Sequence, residues 1–484
     1  MGVVVQKRGG ALKRFYPFPL HISERRVLLM ALDVVAIWSA LLVVLYLDAR
    51  ERTLRPLDLR IILEHPHWFL LPVLLWFPLA HTFDAYDLRV ASRFSTAAKA
   101  VGKAGIITVG VYLLIPYITP PLPTSRLVLL SYFLITLLFL LVGRGLYILA
   151  LSQPFFQRYA LIVGAGWAGR TIAEALSKYG DGSYHVVGFI DDDPAKQERS
   201  YDISHLSVPV LGGRDALPEL IKRHQITTLI LAITHDVNGA LLQTLLDCLE
   251  LGVEIIPMPV LYEQLTGRVP IEHVGNHWHV AMPIHHPLTR PFNRLVKRLS
   301  DIVLASLGIL VLAPFFPILA LAIYLDSPGP IFYTQWRVGQ GGRLFKAYKF
   351  RSMIPDAEKG KAVWAQENDP RVTRVGRILR KTHVDEFPQF FNILKGEMSA
   401  VGPRPERPEF VEELAKEIPF YRVRHAVKPG MAGWALVKYG YASSKEDAVA
   451  KLQYDLYYIK HQSLWLDIVI LLKTVVDTLT LGGR

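Results

Sequence analysis

The sequence predicts a membrane protein of mixed class: a helical membrane region, then a doubly wound α/β unit, then a second, basic α/β unit. Three observations predict it. Hydrophobic residues make up 51% of the 484, and the mean hydropathy is +0.27, high for a soluble chain. Four long apolar segments fill the first third. Short apolar strands then alternate with helical patterns, the mark of a parallel sheet. The length calls for two or three domains, placed at residues 1–152, 153–287 and 288–484. The net charge of +12 points to anionic partners. In a basic membrane protein these are lipid headgroups and nucleotides, with no nucleic acid expected. Cys248 is the single cysteine, so internal disulfides and a cysteine-rich metal site are excluded.

The apolar segments run over Val27–Leu47, Trp68–Phe83, Gly105–Ile118 and Leu127–Leu151. A spanning helix needs about 20 residues, and the first run is long enough to stay in the membrane rather than be cleaved as a signal. Lys7, Arg8, Lys13, Arg14, Arg25 and Arg26 precede it, and Arg89, Arg93, Lys99 and Lys103 fall between the second and third segments. The proline-rich stretch Thr119–Arg126 carries a single charge. This distribution predicts a four-helix transmembrane bundle with both ends in the cytoplasm. Asp33 lies inside the first segment, where an acid serves either function or helix packing.

In the second unit the strand Tyr159–Val163 leads into Gly164-Ala165-Gly166-Trp167-Ala168-Gly169 and a helical run to Tyr179. Further strand-like runs are His185–Ile190, Thr228–Ile233 and Val253–Pro257. Gly164, Gly166 and Gly169 match a dinucleotide-binding fingerprint, with Asp191 at the end of the next strand where a ribose-binding acid would sit. The same glycines also serve simply to let a helix pack on a sheet.

The third unit opens with Arg294, Lys297 and Arg298, followed by Ile302–Leu325, 24 residues without charge. Pro314 and Pro317 lie at its centre and break a helix. Basic residues crowd both ends, which a spanning helix cannot reconcile with the positive-inside tendency. The expectation is a re-entrant helix-break-helix over 302–325; the alternative is a fifth span. His277, His279, His285 and His286 precede the unit at spacings that fit no regular metal site.

The densest chemistry lies in Arg371–Pro405. Arg371, Arg374, Arg377, Arg380 and Lys381 fall within eleven residues that contain no acid. Asp385 and Glu386 follow, then Gly402-Pro403-Arg404-Pro405. Thr382-His383-Val384-Asp385 resembles a capping box, which would place the acid pair in the first turn of a helix. The arginines at every third position would share one face. Guanidinium groups hold phosphate oxygens bidentately. A carboxylate attacks phosphorus or holds Mg²⁺, which needs only one or two protein carboxylates beside substrate oxygens. The bland reading of the pair is two solvated acids; the cationic run before it and Arg404 after it favour phosphate-ester chemistry.

These residues resemble the bacterial sugar transferase family of monotopic phosphoglycosyl transferases, and the whole chain resembles its large members. The pattern is carried by Lys297-Arg298-x-x-Asp301, by Ser327-Pro328-Gly329-Pro330-Ile331-Phe332-Tyr333-x-Gln335-x-Arg337-x-Gly339, and by Tyr348-Lys349-Phe350-Arg351-Ser352-Met353. It continues through Asp385-Glu386, Asn392-x-Leu394-Lys395-Gly396-Glu397-Met398-Ser399, Gly402-Pro403-Arg404-Pro405 and Lys428-Pro429-Gly430-x-x-Gly433-Trp434. The resemblance implies a Rossmann-like middle domain and a monotopic catalytic α/β domain. It further implies Asp385 as nucleophile and metal ligand, Glu386 as its assistant, and Arg380, Arg404, Lys349 and Arg351 on phosphate. The implied substrates are a UDP-hexose and polyprenyl (undecaprenyl) phosphate, with Mg²⁺ as cofactor. The implied setting is the bacterial inner membrane with the site at the cytoplasmic face, where the chain would contact membrane lipid and pair as a homodimer. Two departures stand out: Ala313-Pro314 where the family often has Ser-Pro, and Val437-Lys438-Tyr439-Gly440 where it often has Val-Asn-Gly-Arg. Rival readings are a nicotinamide-dependent enzyme acting at Gly164–Gly169 and a non-catalytic membrane assembly factor.

Overall fold

The computed structural model describes residues 22–53, 64, 66–113, 126–151, 157–180, 182–204, 206–233, 239–271, 291–355, 357, 369–440 and 444–479. Lys7 to Arg14, the proline-rich stretch 119–125, the four clustered histidines and both expected domain boundaries lie outside them.

Among the described residues four helices of 17 residues or more come first, with the short helix Leu88–Ala91 between the second and third: α1 (Ile22–Thr53), α2 (Pro66–Thr82), α3 (Phe94–Leu113) and α4 (Arg126–Leu151). Two contain stretches long and apolar enough to cross a membrane, Ser23–Leu47 in α1 and Leu130–Ala150 in α4. α2 and α3 are shorter, at 17 and 20 residues. The third segment differs most from expectation. Its helix starts at Phe94, so Lys99 and Lys103 lie within it instead of in a loop. Ala97, Ala100, Val101 and Ala104, at helical spacing, are all buried; small side chains let this polar first half pack closely.

Asp33 has a packing role. It is 1% exposed, and its Oδ2 accepts hydrogen bonds from Trp76 Nε1 (3.0 Å), Tyr86 Oη (2.7 Å) and Arg144 Nη2 (2.9 Å). One carboxylate therefore joins α1, α2, the turn after α2 and α4. A buried charge is tolerable only when paired and hydrogen-bonded.

The middle unit contains β1 (Arg158–Val163), α5 (Trp167–Tyr179), β2 (Tyr184–Ile190), the hairpin β3 (Ser200–Ile203) and β4 (Leu206–Pro209), α6 (Leu217–His224), β5 (Thr228–Leu231), α7 (Gly239–Glu250), β6 (Glu254–Pro257) and α8 (Met258–Thr266). Its parallel sheet has the order β2-β1-β5-β6. Alternate residues of β1 face opposite ways. Ala160 and Ile162 join Ile172 of α5 and Leu261 of α8; Leu161 and Val163 join Leu217 of α6 and Leu245 of α7. That is a doubly wound sheet, and buried Cys248 belongs to its second core. The first core continues into Leu29, Trp76 and Tyr147 of the helices before it.

The third unit begins with α9 (Pro291–Leu312) and α10 (Phe316–Asp326), bent by 65°. Pro314 occupies the break and Pro317 the first turn of α10. Leu310, Val311, Phe315, Ile318, Leu321 and Leu325 each expose more than half their surface. The root of α9 is polar and buried. Lys297 Nζ donates to Asp467 (2.7 Å) and to the Val401 carbonyl (3.1 Å), and Asp301 accepts from Ser399 Oγ and the Ala400 N–H. A hairpin of β7 (Phe332–Val338) and β8 (Leu344–Phe350) follows, tied to α10 by stacked rings of Phe316, Phe332 and Phe350. Then come α11 (Arg374–Lys381), a 3₁₀ turn at Val384–Glu386, α12 (Gln389–Lys395), β9 (Ser399–Val401), α13 (Pro408–Glu417), β10 (Gly430–Ala432), α14 (Trp434–Tyr439), α15 (Lys445–His461) and α16 (Leu464–Leu479). β9 and β10 pair in parallel. Gly308 admits α12 against α9: a Cβ there would lie 2.4 Å from the Phe390 ring.

Replacing Asp33 by alanine would leave Arg144 buried without its partner. The expected cost is about 3–5 kcal/mol, read as a large drop in the thermal midpoint of the detergent-solubilised chain. A midpoint unchanged from wild type would show that Asp33 does not hold the helices together.

Candidate active site

Four pieces of chain meet at the acid pair. β8 delivers Lys349, whose neighbour Phe350 is buried on the opposite face of the strand. Asn392 of α12 fixes that strand by accepting from the Tyr348 N–H (3.1 Å) and donating to the Lys346 carbonyl (2.7 Å). α11 ends just before the pair and brings Arg380. The connection after β9 supplies Arg404, held where Gly402 N–H donates to the Ala432 carbonyl (2.9 Å).

The two acids are each 7% exposed and differ in state. Glu386 is clamped: Lys349 Nζ donates to Oε1 (2.7 Å), and Arg404 forks onto both carboxylate oxygens, Nη2 to Oε1 and Nη1 to Oε2, the latter at 3.1 Å. Burial alone would raise the Glu386 carboxyl, but Arg404 and then Lys349 outweigh it, and it lies well below the usual carboxylate range. Asp385 makes no hydrogen bond among the described residues. Burial pushes its carboxyl up to about 6; the negative charge of Glu386 adds to the rise, while Lys349, Arg380 and Arg404 oppose it. The arrangement is a fixed carboxylate beside an unengaged one, in a cationic wall. The Arg380 guanidinium likewise makes no hydrogen bond among the described residues, so its fork is open to an anion.

The capping box does not form. Thr382 closes α11, its hydroxyl donating to the Ile378 carbonyl at 2.9 Å, and His383 adopts φ 57°. A non-glycine residue there costs on the order of 1 kcal/mol or more. The left-handed residue turns the chain sharply, so the acids sit in a 3₁₀ turn instead of opening an α-helix. The cap actually present lies earlier: Thr373 Oγ1 accepts from the Gly376 N–H (3.0 Å), and Asp326 accepts from the Val375 N–H (2.8 Å). Arg371 falls before this cap and pairs with Asp369, so only Arg374, Arg377 and Arg380 belong to the helix.

Arg351 is not placed at the pair. It is 6% exposed and donates to the Ser327, Pro328 and Ile323 carbonyls at the end of α10. A cation at a helix C-terminus satisfies the orphan carbonyls there, and this side chain is spent on that task. In the middle unit Asp191 is engaged as well. Its Oδ2 accepts from the Ala165 N–H (2.9 Å) and from Lys196 Nζ (3.0 Å). Gly164 adopts φ 108°, and a Cβ on Gly169 would lie 1.9 Å from the Gly164 carbonyl oxygen. Turn geometry therefore accounts for Gly164 and Gly169, a Cβ on Gly166 would meet nothing, and Asp191 braces the turn.

No group of three or more His, Cys, Asp or Glu converges among the described residues. A divalent cation at the pair would find one unpaired carboxylate, Asp385. That suits Mg²⁺ when substrate oxygens and water complete the shell.

A bacterial sugar transferase family model matches residues 292–481, and a CoA-binding domain model matches residues 81–259. An Aeromonas hydrophila UDP-N-acetylgalactosamine-undecaprenyl-phosphate N-acetylgalactosaminephosphotransferase is 38% identical over 335 residues, covering 69% of this chain and 75% of that protein. The chain belongs to the bacterial sugar transferase family. A Bacillus subtilis relative, a putative undecaprenyl-phosphate N-acetylgalactosaminyl 1-phosphate transferase, is 54% identical over 129 residues, 27% of this chain and 72% of that protein. The UDP-glucose:undecaprenyl-phosphate glucose-1-phosphate transferase of Escherichia coli is 43% identical over 197 residues, 40% of this chain and 42% of that protein. In this sugar transferase the family match begins one residue into α9 and takes in every residue of the acid-pair site.

Two arginines here are expected to separate on substitution. Arg351→Gln should lower thermal stability by about 1.5–3 kcal/mol through lost charge-assisted bonds to the helix end, while Arg380→Gln should leave the midpoint nearly unchanged. Thermal unfolding of both variants checks this; equal losses would contradict the placement.

Proposed function

We propose that this chain transfers a sugar-1-phosphate from a UDP-sugar to undecaprenyl phosphate, releasing UMP and starting assembly of a cell-surface polysaccharide. The observation that carries the mechanism is the asymmetry of the acid pair: Glu386 is fixed by Arg404 and Lys349, and Asp385 is unengaged. An Asp385 oxygen attacks the sugar-linked phosphorus. The bond from that phosphorus to the bridging oxygen breaks, and its electron pair leaves with UMP. A phosphosugar-aspartyl ester remains. An undecaprenyl phosphate oxygen then attacks the same phosphorus, the aspartyl oxygen leaves, and the product is undecaprenyl-diphospho-sugar. Arg380 holds diphosphate oxygens in this reading, and Arg404 and Lys349 keep Glu386 ionised and oriented. Asp385 with diphosphate oxygens would hold Mg²⁺, which would neutralise charge on the leaving group.

The helix pair α9 and α10 enters the bilayer and returns to the same face in this reading. Its 65° bend, its exposed apolar surface and the basic residues at both ends support it. The site then lies at the cytoplasmic surface of the inner membrane, where a lipid phosphate and a soluble nucleotide sugar meet. A nicotinamide reading of the middle unit is disfavoured, because the acid needed for ribose is held by Ala165 and Lys196. The named relatives differ in sugar, so release of UMP from a panel of UDP-sugars identifies the donor.

Asp385→Asn is expected to lower UMP release and lipid-linked product by about a thousandfold or more, with the variant still folded. Full activity would refute the assignment. The pH dependence has a definite sign. The nucleophile must be ionised, so the transfer rate should rise with pH and level off above about 6, falling about tenfold per unit below. Stability moves the other way: the folded state holds this proton to higher pH than the unfolded chain does, so ionising Asp385 costs stability as pH rises toward 6. An activity plateau that extends well below pH 6 would show that this carboxyl is not the limiting group.

A further inference from the structure

Arg404 is aimed by contacts on its own backbone. Arg424, 6% exposed, donates through Nη2 to the Arg404 carbonyl (3.0 Å) and to Asp455 Oδ2 (2.8 Å), and through Nη1 to the Tyr421 hydroxyl (2.7 Å). Asp455 lies on α15 and is 2% exposed. A guanidinium is a rigid planar fork, so Asp455 and Tyr421 together determine where the Arg404 carbonyl must sit. The neighbouring residues are held too. Arg337 donates to the Pro405 carbonyl (3.1 Å), the Val338 N–H donates to the Glu406 carbonyl (3.0 Å), and the Gly430 N–H donates to the Pro403 carbonyl (2.9 Å). Pro403 and Pro405 fix φ on either side. The main chain around Arg404 therefore has little freedom, and its side chain reaches Glu386 from a set origin.

We propose that Arg424 is a positioning residue: anchored by Asp455 and Tyr421, it sets the Arg404 backbone so that the Arg404 guanidinium meets the Glu386 carboxylate, a role that rests on the transferase reading of the acid pair. The bland alternative is a buried ion pair that only stabilises the unit. The two differ in whether the effect passes through Arg404.

The test is the steady-state rate of UMP release by the detergent-solubilised full chain, in wild type, Asp455→Asn, Arg404→Lys and the double variant. Asp455→Asn is expected to lower kcat by about tenfold to a hundredfold, with KM for the UDP-sugar changed far less, and to add nothing further in the Arg404→Lys background. Arg424→Lys keeps a charge for Asp455 but loses the fork, and should behave alike; it carries the test if Asp455→Asn does not accumulate as folded protein. Multiplying losses in the double variant would overturn the proposal. So would a lower folded fraction with unchanged kcat per folded molecule. Absence of UMP release by wild type would instead overturn the transferase reading itself.

Discussion

The bond from Arg404 and Lys349 to Glu386 is the constraint on which the rest of the site depends. Two adjacent carboxylates buried together repel, and one of them would ordinarily take up a proton. Two cations on Glu386 resolve the conflict by holding its charge in place. Asp385 is then left ionisable near neutral pH but unpaired. The proposed nucleophile needs that state: charged at working pH, yet not already satisfied by a donor it would have to abandon. Had the cations divided themselves evenly over both acids, neither would be available.

Most of the third unit can be read as support for that clamp. The polar root of α9 holds β9 through Lys297 and Asp301, and β9 ends where the Arg404 segment begins. Arg298 donates to the Ile393 and Leu394 carbonyls at 2.6 Å, closing the end of α12 that follows the acids. Asn392 locks the strand that carries Lys349. The same helix that presents the most apolar surface thus positions two of the four pieces of the site.

Much of this was legible in the sequence, and the failures have physical causes. The doubly wound sheet was readable because each strand is a short apolar run bounded by turn residues. The break in the helix pair was readable because proline cannot be accommodated silently. The acid pair and Arg404 were readable as chemistry, but the state of each acid was not, since that depends on Lys349 arriving from a distant strand. Arg351 was expected on phosphate from its place in the family motif, and nothing local announced its bonds to the Ser327 and Pro328 carbonyls more than twenty positions earlier. The capping box failed because Thr382 already closes the preceding helix and cannot also open the next. Arg424 and Asp455 left no local signal; they meet across 31 positions. Arg144 as the partner of Asp33 was equally hidden, 111 positions away.

The three units are also fastened to one another. Asp84, in the turn after α2, accepts from Lys473 at 2.9 Å and lies 3.5 Å from Lys438. Gly267, just past α8, accepts from Trp434 Nε1 at 3.1 Å. Glu263 accepts from Lys460 at 2.9 Å, and Arg268 lies between the rings of Tyr179 and Tyr454 at 5.8 and 5.2 Å. Lys438 belongs to the segment where the chain departs from the pattern of its family, and its partner is an acid of the N-terminal helical region. At Lys438 that departure makes a contact between units. The third unit is thereby fixed on one side by the N-terminal helices and on another by the folded sheet. The N-terminal units thus brace the third unit, while among the described residues the side chains bonded to Glu386 are those of Lys349 and Arg404, both from the third unit itself.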